Sequence, residues 1–170
     1  ARYYSPRLQH TVIAKVINLS AQGKHPRGWQ SDTSHQRKLS SYLNEQAFYQ
    51  HYAQLTTKEC AVPFLIALGQ SEACFCVIME DLDARGLGVR YLKANRKLAM
   101  QGVYWLANFH ATFMQQALPE LWPIGSYWHL STRPDEWQKM QHGPLKQAAQ
   151  AIDNRLNQAR FQTLLHGDAK

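Results

Sequence analysis

Apolar and polar positions along the chain change period several times, and each change marks an element. Thr11-Val12-Ile13-Ala14-Lys15-Val16-Ile17, within Gln9 to Leu19, is a β-branched run that predicts a strand. Ser20-Ala21-Gln22-Gly23-Lys24-His25-Pro26-Arg27-Gly28 breaks it with Gly and Pro and predicts a loop. Thr33 followed by Gln36 fits a capping box. Beyond it Leu39, Tyr42, Leu43, Ala47 and Tyr49 to Tyr52 recur at helical spacing, predicting a helix to about Leu55. Val62-Pro63 closes the connection; Phe64 to Leu68 and Ala73 to Met79 then predict two strands joined through Gly69 to Glu72 as a hairpin. Asp83-Ala84-Arg85-Gly86-Leu87-Gly88 predicts a flexible linker. From Asn95 a second helix is expected, with Ala99, Val103, Leu106, His110 and Phe113 on one stripe. A Trp-rich loop region runs from Trp122-Pro123 to Pro134. Gly143-Pro144 then starts a helix with Pro at its first position, carrying Leu145, Ala148, Ala149, Ile152 and Leu156 on its apolar stripe. Phe161 to Leu165 predicts a short strand running into His166.

The order strand, helix, two strands, linker, helices, strand predicts an α+β architecture: a small lobe over residues 1–82, a linker over 83–94 and a mainly helical lobe over 95–170. A length of 170 residues suffices for one good core, or a small lobe with part of a larger one. Hydrophobic content of 45% against 18% charged residues excludes a disordered chain. No run is apolar and long enough for a membrane span, and the N-terminus carries no signal-peptide core, so no membrane partner is expected. Cys60, Cys74 and Cys76 are odd in number and complete no zinc-ligand set; buried reduced thiols and a cytoplasmic location are expected. The formal charge of +7 raises nucleic acid as a partner, but the cations are scattered and interleave with no aromatic series, so none is expected.

Four segments carry candidate chemistry. Lys15 stands mid-strand, with Ala14 and Val16 on the opposite face. Taken alone it reads as a strand lysine facing water, and Glu45, on the helix that follows, as a solvated glutamate; only the combination raises a functional reading. Val77-Ile78-Met79-Glu80-Asp81-Leu82 runs from a buried strand into a polar link, where the Glu80 carbonyl and the Leu82 amide offer a fixed main-chain edge to a flat base and Met79 stands at the back. Last comes Leu164-Leu165-His166-Gly167-Asp168, a carboxylate in a turn after an apolar run. Asp168 there can accept a hydroxyl proton or orient the hydroxyl for in-line attack, Lys170 can offset charge on a transferred phosphoryl, and His166 holds the turn. His110 falls on an apolar helix stripe and reads as structural. Trp105, Trp122, Trp128 and Trp137 read as packing residues that could also line an acceptor pocket.

Taken in order, Val12–Val16, Asn44–Tyr49, Val77–Leu82, Trp105–Ala111 and Leu164–Asp168 resemble the aminoglycoside phosphotransferase/choline kinase group, and within it the ecdysteroid-kinase-like branch. The resemblance implies a protein kinase-like bilobal fold, ATP with magnesium as donor and a small-molecule hydroxyl as acceptor. By carry-over Lys15 meets the phosphates, Glu45 holds Lys15, Glu80 and Leu82 bracket adenine beside Met79, and Asp168 is the base with Lys170 near it. Two departures stand out. Only Ala1 to Gln9 precede the first strand, which leaves room for part of a strand and no phosphate-covering hairpin. The Asn and Asp that hold magnesium in the family follow the base and are expected beyond Lys170, so the sequence is expected to be a piece of a longer protein. The alternative is a kinase-like module that binds a ligand or a protein without catalysis.

Overall fold

The computed structural model of the chain describes residues 1–18, 32–125 and 129–167, with the side chains of 32–35 left aside. It is a mixed α/β structure built on a four-stranded antiparallel sheet and several helices. The strands are β1 (Arg2–Ser5), β2 (His10–Asn18), β3 (Leu65–Gln70) and β4 (Cys74–Glu80), ordered β1-β2-β4-β3 across the sheet. The helices are α1 (Asp32–His51), α2 (Arg96–Thr112), α3 (Pro134–Lys139) and α4 (Pro144–Asn157), with short 3₁₀ turns at Ala53–Leu55, Lys58–Cys60 and Leu130–Thr132.

The central β2–β4 pair sets the register: Ile13 faces Met79, Lys15 faces Val77 and Ile17 faces Phe75. Paired residues of an antiparallel ladder share a face. Ile13, Lys15 and Ile17 therefore lie with Phe75, Val77 and Met79, and this face packs on Tyr42 and Tyr49 of α1. The other face buries Val12 and Ala14 and exposes Val16. The β3–β4 hairpin forms as the sequence predicts, with one irregularity between Leu65 and Ala67. β1 is the partial strand that the residues before Gln9 allow.

α1 begins at Asp32, so Thr33 lies inside its first turn and not before it, and it ends at His51, with the chain continuing to Leu55 as a 3₁₀ turn. It has two apolar faces. Tyr42 and Tyr49 meet the sheet, while Ala47 and Phe48 meet a second cluster of Tyr52, Cys60, Phe109, Phe113 and Leu121. A helix between two layers cannot show a single stripe.

Several expectations give way here. α2 starts after Asn95, whose side chain caps it, and its expected stripe holds in part: Phe113 is buried and Leu106 and His110 are half-buried, but Ala99 and Val103 are exposed and Phe109 is buried instead, with Trp105 packed against it. The rings carry the most area to hide and take the interface from the aliphatic stripe. On α4, Leu145, Ile152 and Leu156 are exposed and Asp153 is the buried residue, because it accepts a hydrogen bond from the Leu130 amide at 3.2 Å. The linker at Asp83–Gly88 is an ordered turn: Ala84, Arg85, Gly86 and Leu87 donate back to Asp81, Leu82, Asp83 and Leu82, and Gly86 supplies the left-handed φ of 78°. Phe161 to Leu165 forms no strand. The Gln115 amide donates to the Gln162 carbonyl (2.9 Å), and the Gln162 amide donates to the Gln115 side chain (3.1 Å). Two glutamines satisfy there what a ladder would have satisfied.

The second cluster makes a testable claim. Phe113 is fully buried and Val103 is 56% exposed. Phe113→Ala is expected to lower unfolding stability by about 3–5 kcal/mol. Val103→Ala should stay within about 0.5 kcal/mol of the parent. Chemical denaturation of the three proteins checks both.

Candidate functional site

Lys15 reaches off the middle of β2 into an apolar face, where an unpaired ammonium would be costly. α1 supplies the partner: the Lys15 Nζ donates to Glu45 Oε2, and the two side chains remain 39% and 33% exposed. The Tyr42 ring lies 5.3 Å from the same ammonium. Tyr49, one helical turn beyond Glu45, is pushed up to about 12, first by burial and then by the carboxylates of Glu45 and Glu80. Lys15, Tyr42, Glu45 and Tyr49 thus form one group over Val77 and Met79, with its charged tips reaching solvent. Tyr42 and Tyr49 were legible in the sequence only as helix-core residues. Their signal is the spacing Tyr42-Glu45-Tyr49, which puts two rings and a carboxylate on one helical face.

The end of β4 is fixed tightly. Glu80 donates its amide to the Phe64 carbonyl (2.9 Å), and its side chain accepts from the Phe64 amide (2.8 Å) and from Arg85 (2.7 Å). The Leu82 carbonyl anchors the turn that follows by accepting from Arg85 and Leu87. Asp81, between them, is buried and carries more interactions than either neighbour. Its carboxylate accepts from the Thr11 hydroxyl (2.6 Å), from Arg2 and from the Asp83 amide (3.1 Å). Asp83 is gripped in turn by Arg2 and Arg90. Thr11 follows from extending the β2–β4 register by one pair beyond Val12 and Glu80. Arg2, at a separation of 79, has no local signal.

At the other end of the chain, α2 holds the approach to His166 and Gly167. Leu164 packs on the second cluster, the Thr163 hydroxyl donates to the His110 carbonyl (2.7 Å), and the His166 ring sits edge-on to Trp105 at 5.9 Å. Trp105 also stacks on Phe109 (5.0 Å) and donates its indole N–H to the Ala61 carbonyl (3.0 Å). One tryptophan therefore ties the approach to β3 to the turn that precedes Asp168. Gly167 takes a φ of 77°, the left-handed conformation that favours glycine. Asp168 and Lys170 lie outside the described residues, as does Trp128. The structure brings Lys15 and Glu45 together and places Met79, Glu80 and Leu82 on the adjoining strand and turn.

Among the described residues no group of three or more His, Cys, Asp or Glu side chains is placed to hold a metal ion. No described helix is long and apolar enough to cross a membrane. A concavity on α4, lined by Ala151, Asn154, Arg155, Gln158 and Ala159, contains none of the predicted site residues. No protein-family model matches the chain, no curated protein matches it, and no solved structure matches its fold.

The Asp81 cluster sets a pH dependence. The Thr11 hydroxyl first, then Arg2 and the Asp83 amide, hold the Asp81 carboxyl below its usual range; Arg2 and then Arg90 do the same for Asp83. Unfolding returns both to about 3.9. Their stabilisation is therefore complete above that value and disappears as pH falls through the lower folded values. Asp81→Asn should be less stable than the parent at pH 7, with the gap narrowing toward pH 3. Urea midpoints for both proteins at neutral and acid pH test this, and a gap that is constant with pH contradicts it.

Proposed function

We propose that this chain carries the nucleotide-binding side and the base-bearing turn of a small-molecule O-phosphotransferase of the aminoglycoside phosphotransferase/choline kinase type, with a protein kinase-like bilobal arrangement. The observation that carries the reading is the Lys15–Glu45 ion pair, which joins two segments at a separation of 30 on an otherwise apolar face. An ammonium fixed by a carboxylate and still partly open to solvent is a phosphate ligand whose position is set before the nucleotide arrives. The end of β4 supports it as a second element: hydrogen bonds on Glu80, Asp81 and the Leu82 carbonyl hold the stretch whose main chain would read a flat base.

In the transfer, the acceptor oxygen bonds to the terminal phosphorus as the bond from that phosphorus to the bridging oxygen breaks. The acceptor proton passes to the Asp168 carboxylate. Lys15 holds the phosphates that become the leaving group, and Lys170 offsets charge on the moving phosphoryl. Magnesium, bound with the nucleotide, would supply charge neutralisation. The described residues offer it no ligand set, and the roles assigned to this chain are those of its own side chains. Cys60, Cys74 and Cys76 are unpaired thiols, which suits a reducing, cytoplasmic setting.

Calorimetry with ATP tests the nucleotide half: Lys15→Met should weaken binding about tenfold or more while the melting profile holds, since charge-assisted phosphate contacts are strong. In the longer protein of which this chain is expected to be a piece, since the chain alone is expected to be inactive, Asp168→Asn should keep nucleotide affinity and lower transfer to the responsive hydroxyl compound by at least about 100-fold. The assay is phosphate transfer to a panel of alcohols, amino alcohols, aminoglycosides and sterols. A parent protein that binds no ATP, or an Asp168→Asn variant with unchanged turnover, refutes the reading.

A further inference from the structure

The residue before Glu45 is tied to a different part of the molecule. Asn44 Oδ1 accepts a hydrogen bond from the Trp122 backbone amide at 2.9 Å, across a separation of 78. Nearer its start, α1 is tied again: Arg37 donates to the Thr132 carbonyl (2.6 Å) and to Glu136 (2.8 Å), with only 16% of its side chain exposed. Near its end, the Tyr52 hydroxyl donates to Glu120. These three ties all run to the stretch between α2 and α3 and to α3 itself, on the side of α1 away from the sheet. Lys15 and Glu45 alone would not need them.

We infer that Asn44, with Arg37, is a positioning residue: it fixes the rotation and height of α1 from behind, so that Glu45 meets Lys15 without any ligand present. The physical case is one of competing freedoms. The Lys15–Glu45 pair is partly exposed, and such a pair contributes at most about 1 kcal/mol, too little to hold a helix in register alone. A neutral hydrogen bond to a backbone amide contributes a similar amount, but it is directional. Placed one residue from Glu45, it resists the turn of about 100° per residue by which α1 would carry the carboxylate away. The site is then preset, and α1 is not the moving part that switches it. The functional meaning of this inference rests on the phosphotransferase reading; the geometry does not.

The test reads Lys15 directly and without nucleotide. Trace labelling of amines, resolved by peptide mass spectrometry, gives the reactivity of Lys15 relative to Lys58, whose side chain is 91% exposed. Glu45→Gln should raise Lys15 labelling about two- to fivefold, the range a partly exposed ion pair spans. Asn44→Ala should raise it by a comparable factor, and Asn44→Asp, which keeps an acceptor oxygen, should stay near the parent. A melting curve identifies any variant that fails to fold. If Asn44→Ala does, Arg37→Met takes its place and should also raise labelling. Labelling at the parental level in a folded Asn44→Ala protein, or in the substitute Arg37→Met, overturns the inference, as does an Asn44→Asp protein as reactive as Asn44→Ala. If the parent binds no ATP, the phosphotransferase reading fails while the labelling result still decides the role of Asn44.

Discussion

The structure depends on α1 being apolar on two sides. One side meets Ile17, Phe75, Val77 and Met79 of the sheet, the other meets Phe109, Phe113 and Leu121. Each fully buried side chain of that size is worth about 1.5–3 kcal/mol, against at most about 1 kcal/mol for a partly exposed ion pair. Packing therefore sets where α1 lies between the two layers, the ties of Asn44 and Arg37 hold its rotation within that seat, and the Lys15–Glu45 pair is a consequence of both. What the pair does locally is remove the penalty of a lysine on that face. This division of labour leaves the charged tips free to serve a ligand, because the fold does not rest on them.

A second constraint works through charge. Asp81 gathers one donor from β1, one from β2 and one from the turn after β4. A buried carboxylate is tolerated only when its lone pairs are taken, and here three groups take them. The result is that the strand end carrying Glu80 and Leu82 is anchored to the far edge of the sheet. Arg2 serves both Asp81 and Asp83, so the short β1 strand contributes to the geometry of a turn remote from it in sequence.

Periodicity revealed the elements whose partners are local or whose ladder is long. β2, β3, β4, the hairpin, α2 and the Pro144 helix start all follow from residue type and spacing, whereas the meeting of Lys15 with Glu45 was expected only from the family resemblance. It failed where burial was decided by something distant. On α2 the expected stripe held at Phe113 and gave way at Ala99 and Val103, because the buried line is that of Trp105, Phe109 and Phe113, whose last two rings meet Phe48 of α1. Asp153 replaced the aliphatic side of α4 because the Leu130 amide needed an acceptor. Asp83–Gly88 looked like a free linker because Gly and polar residues dominate it, yet two arginines far apart in sequence close on Asp83. Asn44 and Arg37 were invisible for the same reason: a hydrogen bond across a separation of 78 or 95 leaves no trace in a local window.

The loss of the expected strand at Phe161 to Leu165 shows how the two halves of the candidate site are connected. Just past the end of α2, Gln115 takes a left-handed φ of 57°, a conformation that costs a non-glycine residue about 1–2 kcal/mol. The return is mutual: Gln115 and Gln162 exchange amide contacts, and the Gln115 side chain also donates to the Arg160 carbonyl at 3.0 Å. With Thr163 on His110 and His166 on Trp105, the chain is fixed to α2 from Arg160 to the threshold of Gly167. α2 is in turn fixed to α1 through Phe48, whose ring lies 6.0 Å from Phe109 and 6.1 Å from Phe113. The lysine's partner and the approach to the aspartate therefore depend on the same aromatic contact between two helices. A ladder would have tied that approach to a sheet; the glutamines tie it to the helix that already determines where Glu45 sits.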